Sequence, residues 1–356
     1  MSDRLHRHLD DDVDDDYDRD AEDVLGTTST GIFSRDDYTI GWICAIPLEM
    51  AAARAMLNTV HPELPNQQDD RNTYTFGEVS GHNVVIACLP FGTYGTTSAA
   101  LVASQMRNSF PSVQFYLMVG IGGGVPSENA DIRLGDVVVS RPTRNHPGVL
   151  QYDFGKTVVG GRFERIGALD KPPMELLTAV STFQSRLMVE GNYILDSLLE
   201  AMDRYPQTKK TFMYPGPHQD FLFEAEYDHR GGSTCRSCEK EWLVDREARP
   251  TNDPIIHYGL IASGNQVMKH GRTRDRLAKE HDIYCFEMEA AGLMDGFRCL
   301  VIRGICDYSD SHKNKQWQGY AAAVAAAYAK ALLDIVPKTN KGEAQERNTQ
   351  ANLYTS

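Results

Sequence analysis

Three carboxylates stand where acid–base chemistry would want them. Glu49 follows an apolar run at Tyr38–Ile46, Glu289 follows one at Ile283–Met288, and Asp307 follows one at Cys299–Ile305. Such runs read as buried strands, and ligands of open α/β sheets sit beyond the carboxyl ends of their strands. Burial there pushes a carboxyl towards its neutral form, which suits a proton donor, while an ionised one can act as a base. Any one of the three alone reads more simply as a carboxylate favoured by the positive end of a helix.

Other groups carry weaker signals. Cys235 and Cys238 form a CxxC, half of a zinc site. His218 and His229 are near enough to complete it, but not at finger spacing, so the pair is read as free thiols with no metal. Gly120-Ile121-Gly122-Gly123-Gly124 lacks both the helix and the spaced acid of a dinucleotide fingerprint, and no Gly-Lys-Ser/Thr marks a P-loop. Arg246, Arg249, Lys269, His270, Arg272, Arg274 and Lys313 gather positive charge around the strand at Ile256–Ser263 and after Asp307. They read either as solvated faces or as a lid for 5′-phosphates, with Arg246, Arg249, Lys269 and Lys313 as the candidate phosphate ligands.

The elements that must position these groups alternate. Strands are expected at Tyr38–Ile46, Thr73–Val79, Asn83–Leu89, Gln114–Val119, Asp136–Ser140, Ile256–Ser263, Ile283–Met288 and Cys299–Ile305. Helices are expected over 48–58, Thr97–Asn108, Glu175–Thr182, Tyr193–Arg204, Arg272–Glu280, Ala290–Gly296 and Trp317–Ile335. This pattern argues an α/β fold with a largely parallel central sheet covered by helices on both sides. Residues 206–254, rich in Pro, Gly and charge, read as an insertion.

Composition sets the bounds. The chain has 356 residues with a net charge of −13, of which 1–37 contributes 13 acidic and 4 basic side chains. The charge run places a disordered acidic tail at 1–37, a folded domain at 38–337 and a second polar tail at 338–356. A near-neutral body argues against a nucleic-acid polymer as partner. No run approaches a membrane span, there is no signal-peptide core, and seven scattered cysteines fit reduced thiols in a cytoplasmic protein.

Five segments in order carry a resemblance: CAIPLEM (44–50), VGIGGGV (119–125), RLGDVVVS (133–140), GLIASGNQVM (259–268) with FEMEAAG (286–292), and VIRGICDYSD (301–310). They resemble the purine/uridine phosphorylase superfamily, closest to its methylthioadenosine/S-adenosylhomocysteine nucleosidase branch and to fungal phosphorylase-like domains. The resemblance implies a mixed central β-sheet flanked by helices, the nucleoside phosphorylase/hydrolase fold. It implies cleavage of a purine N-glycosidic bond, without organic cofactor, in a homo-oligomer. Asp307 matches the carboxyl that protonates purine N7, Glu289 the ribose hydroxyl acceptor, Met288 the methionine under the sugar, and Glu49 the water-activating base. Asn265, Val267 and Met268 match the base-binding segment, and Gly120, Ile121 and Gly122 the loop along ribose and nucleophile. Met118-Val119-Gly120-Ile121 stands where hexameric bacterial purine phosphorylases carry Arg-x-Gly-Ser, and neither Met nor Ile can bind a phosphate dianion. Water is therefore the expected nucleophile and an adenine nucleoside or nucleotide, including ATP, the expected substrate. A phosphate-dependent phosphorylase and a ligand-sensing module without turnover remain the alternatives.

Overall fold

The computed structural model describes residues 33–338. Most of both expected tails lies outside that range. Residues 33–37, at the end of the expected acidic tail, belong to the body: Phe33 stacks on His61 at 3.8 Å and Arg35–Asp37 forms one 3-10 turn.

The chain runs β1 (Ile40–Cys44), α1 (Pro47–Ala55), β2 (Thr59–Val60), β3 (Tyr74–Val79), β4 (His82–Cys88), α2 (Thr96–Ser109), β5 (Phe115–Gly124), β6 (Val137–Ser140), β7 (Val149–Gln151), β8 (Gly155–Thr157) and β9 (Phe163–Arg165). It continues through α3 (Met174–Glu190), α4 (Ile194–Arg204), α5 (Lys209–Phe212), β10 (Ile256–Ser263), α6 (Gly271–His281), β11 (Ile283–Glu287), α7 (Ala291–Met294), β12 (Cys299–Asp307) and α8 (Gln318–Ile335). The main sheet has the order β11-β10-β6-β12-β5-β1-β4-β3-β2. Because β11 also pairs with the end of β5, the strands β5, β12, β6, β10 and β11 close into a ring. The sheet is mixed: β12 is parallel to β5 and antiparallel to β6, and β11 meets β5 antiparallel.

Side-chain alternation splits the core into two layers. Ile40, Trp42 and Cys44 of β1, with Leu300 and Ile302 of β12, face α1, α3, α4 and α8. Ile43 of β1, with Cys299 and Val301 of β12, faces α2 and α7. A strand's period of two forces that division. α8 is buried along most of its length because its alanines let it lie on the sheet. At Gly304 a Cβ would overlap the backbone of Ala321, so glycine sets the approach of α8 to β12.

β5 is the main departure from expectation. The sequence suggests a strand ending at Val119, yet β5 continues to Gly124. Glycine disfavours strands by itself. Here a Cβ would overlap Glu49 at Gly120, Cys285 at Gly122 and Ser309 at Gly123, so the glycines are what lets three other segments close on this strand.

The insertion is held to the body by buried charge. Arg249 grips Asp136 with two bonds of 2.7 Å, and His257 adds a third at 2.9 Å. Burial opposes the charge on Asp136, yet Arg249 and His257 hold its carboxyl below the usual carboxylate range. Arg246 lies 3.2 Å from Asp220 and donates to the Tyr308 hydroxyl at 2.9 Å. Among the described residues no helix is long and apolar enough to cross a membrane.

Candidate active site

The strand ends and the loops after them enclose a cavity of about 500 Å³. Glu49, on the first turn of α1, forms part of its wall. Its Oε2 accepts from the backbone N–H of Ala45 at 2.6 Å and of Ile46 at 3.2 Å, and its Oε1 from Ile121 at 2.8 Å. The β1–α1 turn thus folds the carboxylate back over its own backbone and then against β5. Burial pushes this carboxyl up, against the pull of Arg303 and the three N–H donors.

Arg303 is fully buried in β12, directly opposite Gly120. It bonds Glu287 and lies 3.5 Å from Glu289. Its Nη1 has no hydrogen bond in the structure, and a Cβ on Gly120 would overlap both that nitrogen and the Glu49 carboxylate. Gly120 therefore lets the Glu49 carboxylate and the Arg303 guanidinium both pack directly onto the β5 backbone.

Glu287 accepts from the N–H groups of Glu289 and Ala290 at 3.0–3.2 Å, which fixes the turn carrying Glu289. Glu289 accepts from Gly95 N–H at 3.4 Å. Burial, with Arg303 opposing and Glu287 and Glu49 adding to it, pushes the Glu289 carboxyl up to about 7. Met288 lines the cavity beside it.

Asp307 ends β12 opposite Gly123. Its Oδ1 accepts from Ser309 N–H at 2.9 Å and its Oδ2 from the Lys313 ammonium at 2.6 Å. Lys313 lines the main cavity, while Asp307 borders a small void of about 10 Å³ shared with Cys235 and His312. The ammonium stands over the acid, and Asp307 holds Lys313 charged against its burial.

The structure gathers Glu49, Ile121, Gly122, Val267, Met268, Met288 and Glu289 on one cavity. It places Asn265 differently: the side chain accepts from Thr96 N–H and hydroxyl at 3.1 Å, tying the start of α2 to the loop after β10. Arg246 and Arg249 line a separate cavity of about 580 Å³ under the insertion and are spent on Asp220, Tyr308 and Asp136. Lys269 lines neither cavity, and Lys313 is paired with Asp307. The expected phosphate clamp is thus not assembled. Arg303 and Glu287 escaped the sequence reading, as did Lys315, Gln318, Phe91 and Tyr94 on the cavity wall. An arginine inside an apolar strand was the available signal, since a buried guanidinium needs carboxylate partners.

A mixed sheet closed around its longest strand, with carboxylates converging at the strand ends, defines a nucleoside phosphorylase/hydrolase fold. The chain belongs to the phosphorylase superfamily, whose family model matches residues 39–337. It is 49% identical over 302 residues to a nucleotide-binding leucine-rich repeat (NLR)-like protein of Hyaloscypha variabilis, covering 85% of this chain and 30% of that protein. It is 24% identical over 293 residues to the ATP nucleosidase Cap17 of Escherichia coli, covering 80% of this chain and 48% of that protein. It therefore spans less than half the length of either relative. The 5′-methylthioadenosine/S-adenosylhomocysteine nucleosidase from S. pneumoniae with the transition-state inhibitor MT-ImmA superposes with a TM-score of 0.53 at 17% identity, over 84% of this chain and 100% of that one.

The raised carboxyls make a pH prediction. An activity that depends on ionised Glu289 should show kcat/KM falling as pH drops through about 7. Stability should move the other way. A carboxyl with a raised folded value binds its proton more tightly than the unfolded chain does, so stability is lost as pH rises towards about 7. Glu289→Gln should flatten the stability slope. Paired pH–rate and thermal-unfolding profiles test this, and a rate unchanged across about pH 5–8 would contradict it.

Proposed function

We propose that the chain is an N-ribosyl hydrolase that cleaves the N-glycosidic bond of a purine nucleoside or nucleotide, with adenine as the base. The observation that carries this reading is the buried Glu49 carboxylate on the wall of the same cavity as Met288 and Glu289. A carboxylate on the cavity wall suits a water molecule as nucleophile, because it can take the water's proton. A phosphate dianion suits the place poorly. Glu49, Glu287 and Glu289 surround the single guanidinium of Arg303, and a further dianion would meet net negative charge in a buried site.

In this mechanism the water oxygen bonds to the anomeric carbon as the C–N bond to the base breaks. Glu49 takes the water's proton. Glu289 accepts hydrogen bonds from the sugar hydroxyls. The departing purine takes a proton from Asp307, which requires the Lys313 contact to open and the carboxyl to be protonated first. Incubation with a panel of purine nucleosides and nucleotides, with and without phosphate, tests the proposal. Free base with ribose or its 5′-phosphate derivative is the expected outcome. Ribose-1-phosphate formed only when phosphate is added would make the protein a phosphorylase.

Lys315 on the cavity wall supports a phosphorylated substrate such as ATP over a plain nucleoside. Lys315→Ala should then raise KM for the nucleotide by about tenfold, the worth of one charge-assisted contact, and leave adenosine unaffected. Equal effects on both substrates would remove the phosphate role from Lys315.

A further inference from the structure

The insertion carries a cluster that the nucleoside cavity does not use. Phe223, Tyr227 and Cys238 form a small core of their own, with Phe221, Cys235 and Leu243 packed around it. Its regular structure here is a single bridge between Phe223 and Leu243 and isolated 3-10 turns. Burial alone stabilises so small a core weakly, and a disulfide or a structural metal is the usual remedy.

Cys235 and Cys238 sit on one such turn, closed by Cys238 N–H donating to the Cys235 carbonyl at 3.1 Å. Both are free thiols. The ligand atoms of His229, Cys235 and Cys238 all lie within 4.8 Å of one another. The His229 ring has a backbone carbonyl, that of Thr234, 3.3 Å from Nε2, while Nδ1 accepts from Gly231 N–H at 3.1 Å. With Nε2–H oriented on that carbonyl, Nδ1 carries the lone pair, and a metal there would displace the Gly231 N–H. The fourth side is unusual. His312 is buried at 6% exposure, and neither ring nitrogen has a hydrogen bond in the structure, although Asp310 lies 3.7 Å from Nδ1. Its ring stacks on Phe223 at 4.1 Å and stands edge-on to His229, with centroids 5.3 Å apart. Its carbonyl is 3.8 Å from the Cys235 sulfur. Two unsatisfied polar atoms in an apolar wall are costly unless something engages them.

We propose that His229, Cys235 and Cys238 bind a zinc ion, with His312 as the fourth ligand. Two sulfurs and two imidazole nitrogens match the tetrahedral preference of zinc. Bonds of about 2.0–2.3 Å at tetrahedral angles place ligand atoms roughly 3.3–3.8 Å apart, so the cluster needs a contraction of about 1 Å and a turn of the His312 ring. The ion would tie the insertion to the loop after β12. Cys235, His312 and Asp307 border the same small void, and His312 precedes Lys313, the partner of Asp307. The metal is structural here, and it steadies the wall behind the acid.

The test is elemental analysis of the full chain purified under reducing conditions, with cobalt substitution read by absorbance. One zinc per chain is expected, with a thiolate-to-cobalt charge-transfer band on exchange and a lower Tm after chelation. The double variant Cys235→Ser/Cys238→Ser should retain less than about a tenth of the metal, and His312→Ala should bind it at least tenfold more weakly. His218→Ala should retain it fully, because His218 packs against Gly216 instead. If the double variant does not fold, the wild-type zinc content and cobalt band decide the matter alone. Wild-type protein without zinc and without a cobalt–thiolate band would overturn the proposal. So would a Cys235–Cys238 disulfide found by mass in the reduced preparation.

Discussion

Glu49→Gln is expected to release base about 10²–10⁴ times more slowly than the wild-type chain, with or without inorganic phosphate. The substitution removes the charge of the proposed base while keeping the side chain's size. It also turns a pure acceptor into a mixed group. Three backbone N–H donors converge on the carboxylate, so the new amide NH₂ must face at least one of them. Some stability should be lost to that clash, although a buried charge is also removed. Thermal unfolding of the variant separates the two effects, since a folded but inactive protein assigns the loss to chemistry. Activity within tenfold of wild type would remove Glu49 from the role of base.

Asp307→Asn should cost a similar factor, about 10²–10⁴, with purine substrates. The amide oxygen can still accept from Ser309 N–H, so the turn at the end of β12 should persist. What disappears is the ion pair with Lys313 and the carboxyl proposed to hand on a proton. A riboside whose leaving group needs no protonation provides the contrast. It should be cleaved by the variant at close to the wild-type rate, because its departure needs no proton from residue 307. An equal loss on both substrates would show that Asp307 positions the site and another group donates the proton.

The parts of this fold that were readable from sequence are the local ones. The strands flanking Glu49, Glu289 and Asp307 announce themselves as apolar runs, and the structure has them at Ile40–Cys44, Ile283–Glu287 and Cys299–Asp307. The long helix at Gln318–Ile335 follows from its alanines. Glycines misled where they did not act through local preference. Gly120, Gly122 and Gly123 lie in a strand against which distant segments of the same chain pack, a reason that no window of neighbouring residues contains.

Charge was the part only the tertiary structure decided. The sequence determined which residues could ionise and that a mixed α/β core would bury some of them, because burial follows from periodicity along a few residues. It could not decide who pairs with whom. Arg303 meets Glu287 and Glu289 from a different strand, Arg249 reaches Asp136 across the insertion, and Lys313 turns back on Asp307 rather than out towards a phosphate. His229 and His312, far apart along the chain, meet ring to ring in the same way. Apolar contact is nondirectional and tolerates many neighbours, whereas a buried charge is tolerated only beside a particular partner, and that partner is set by distance in space.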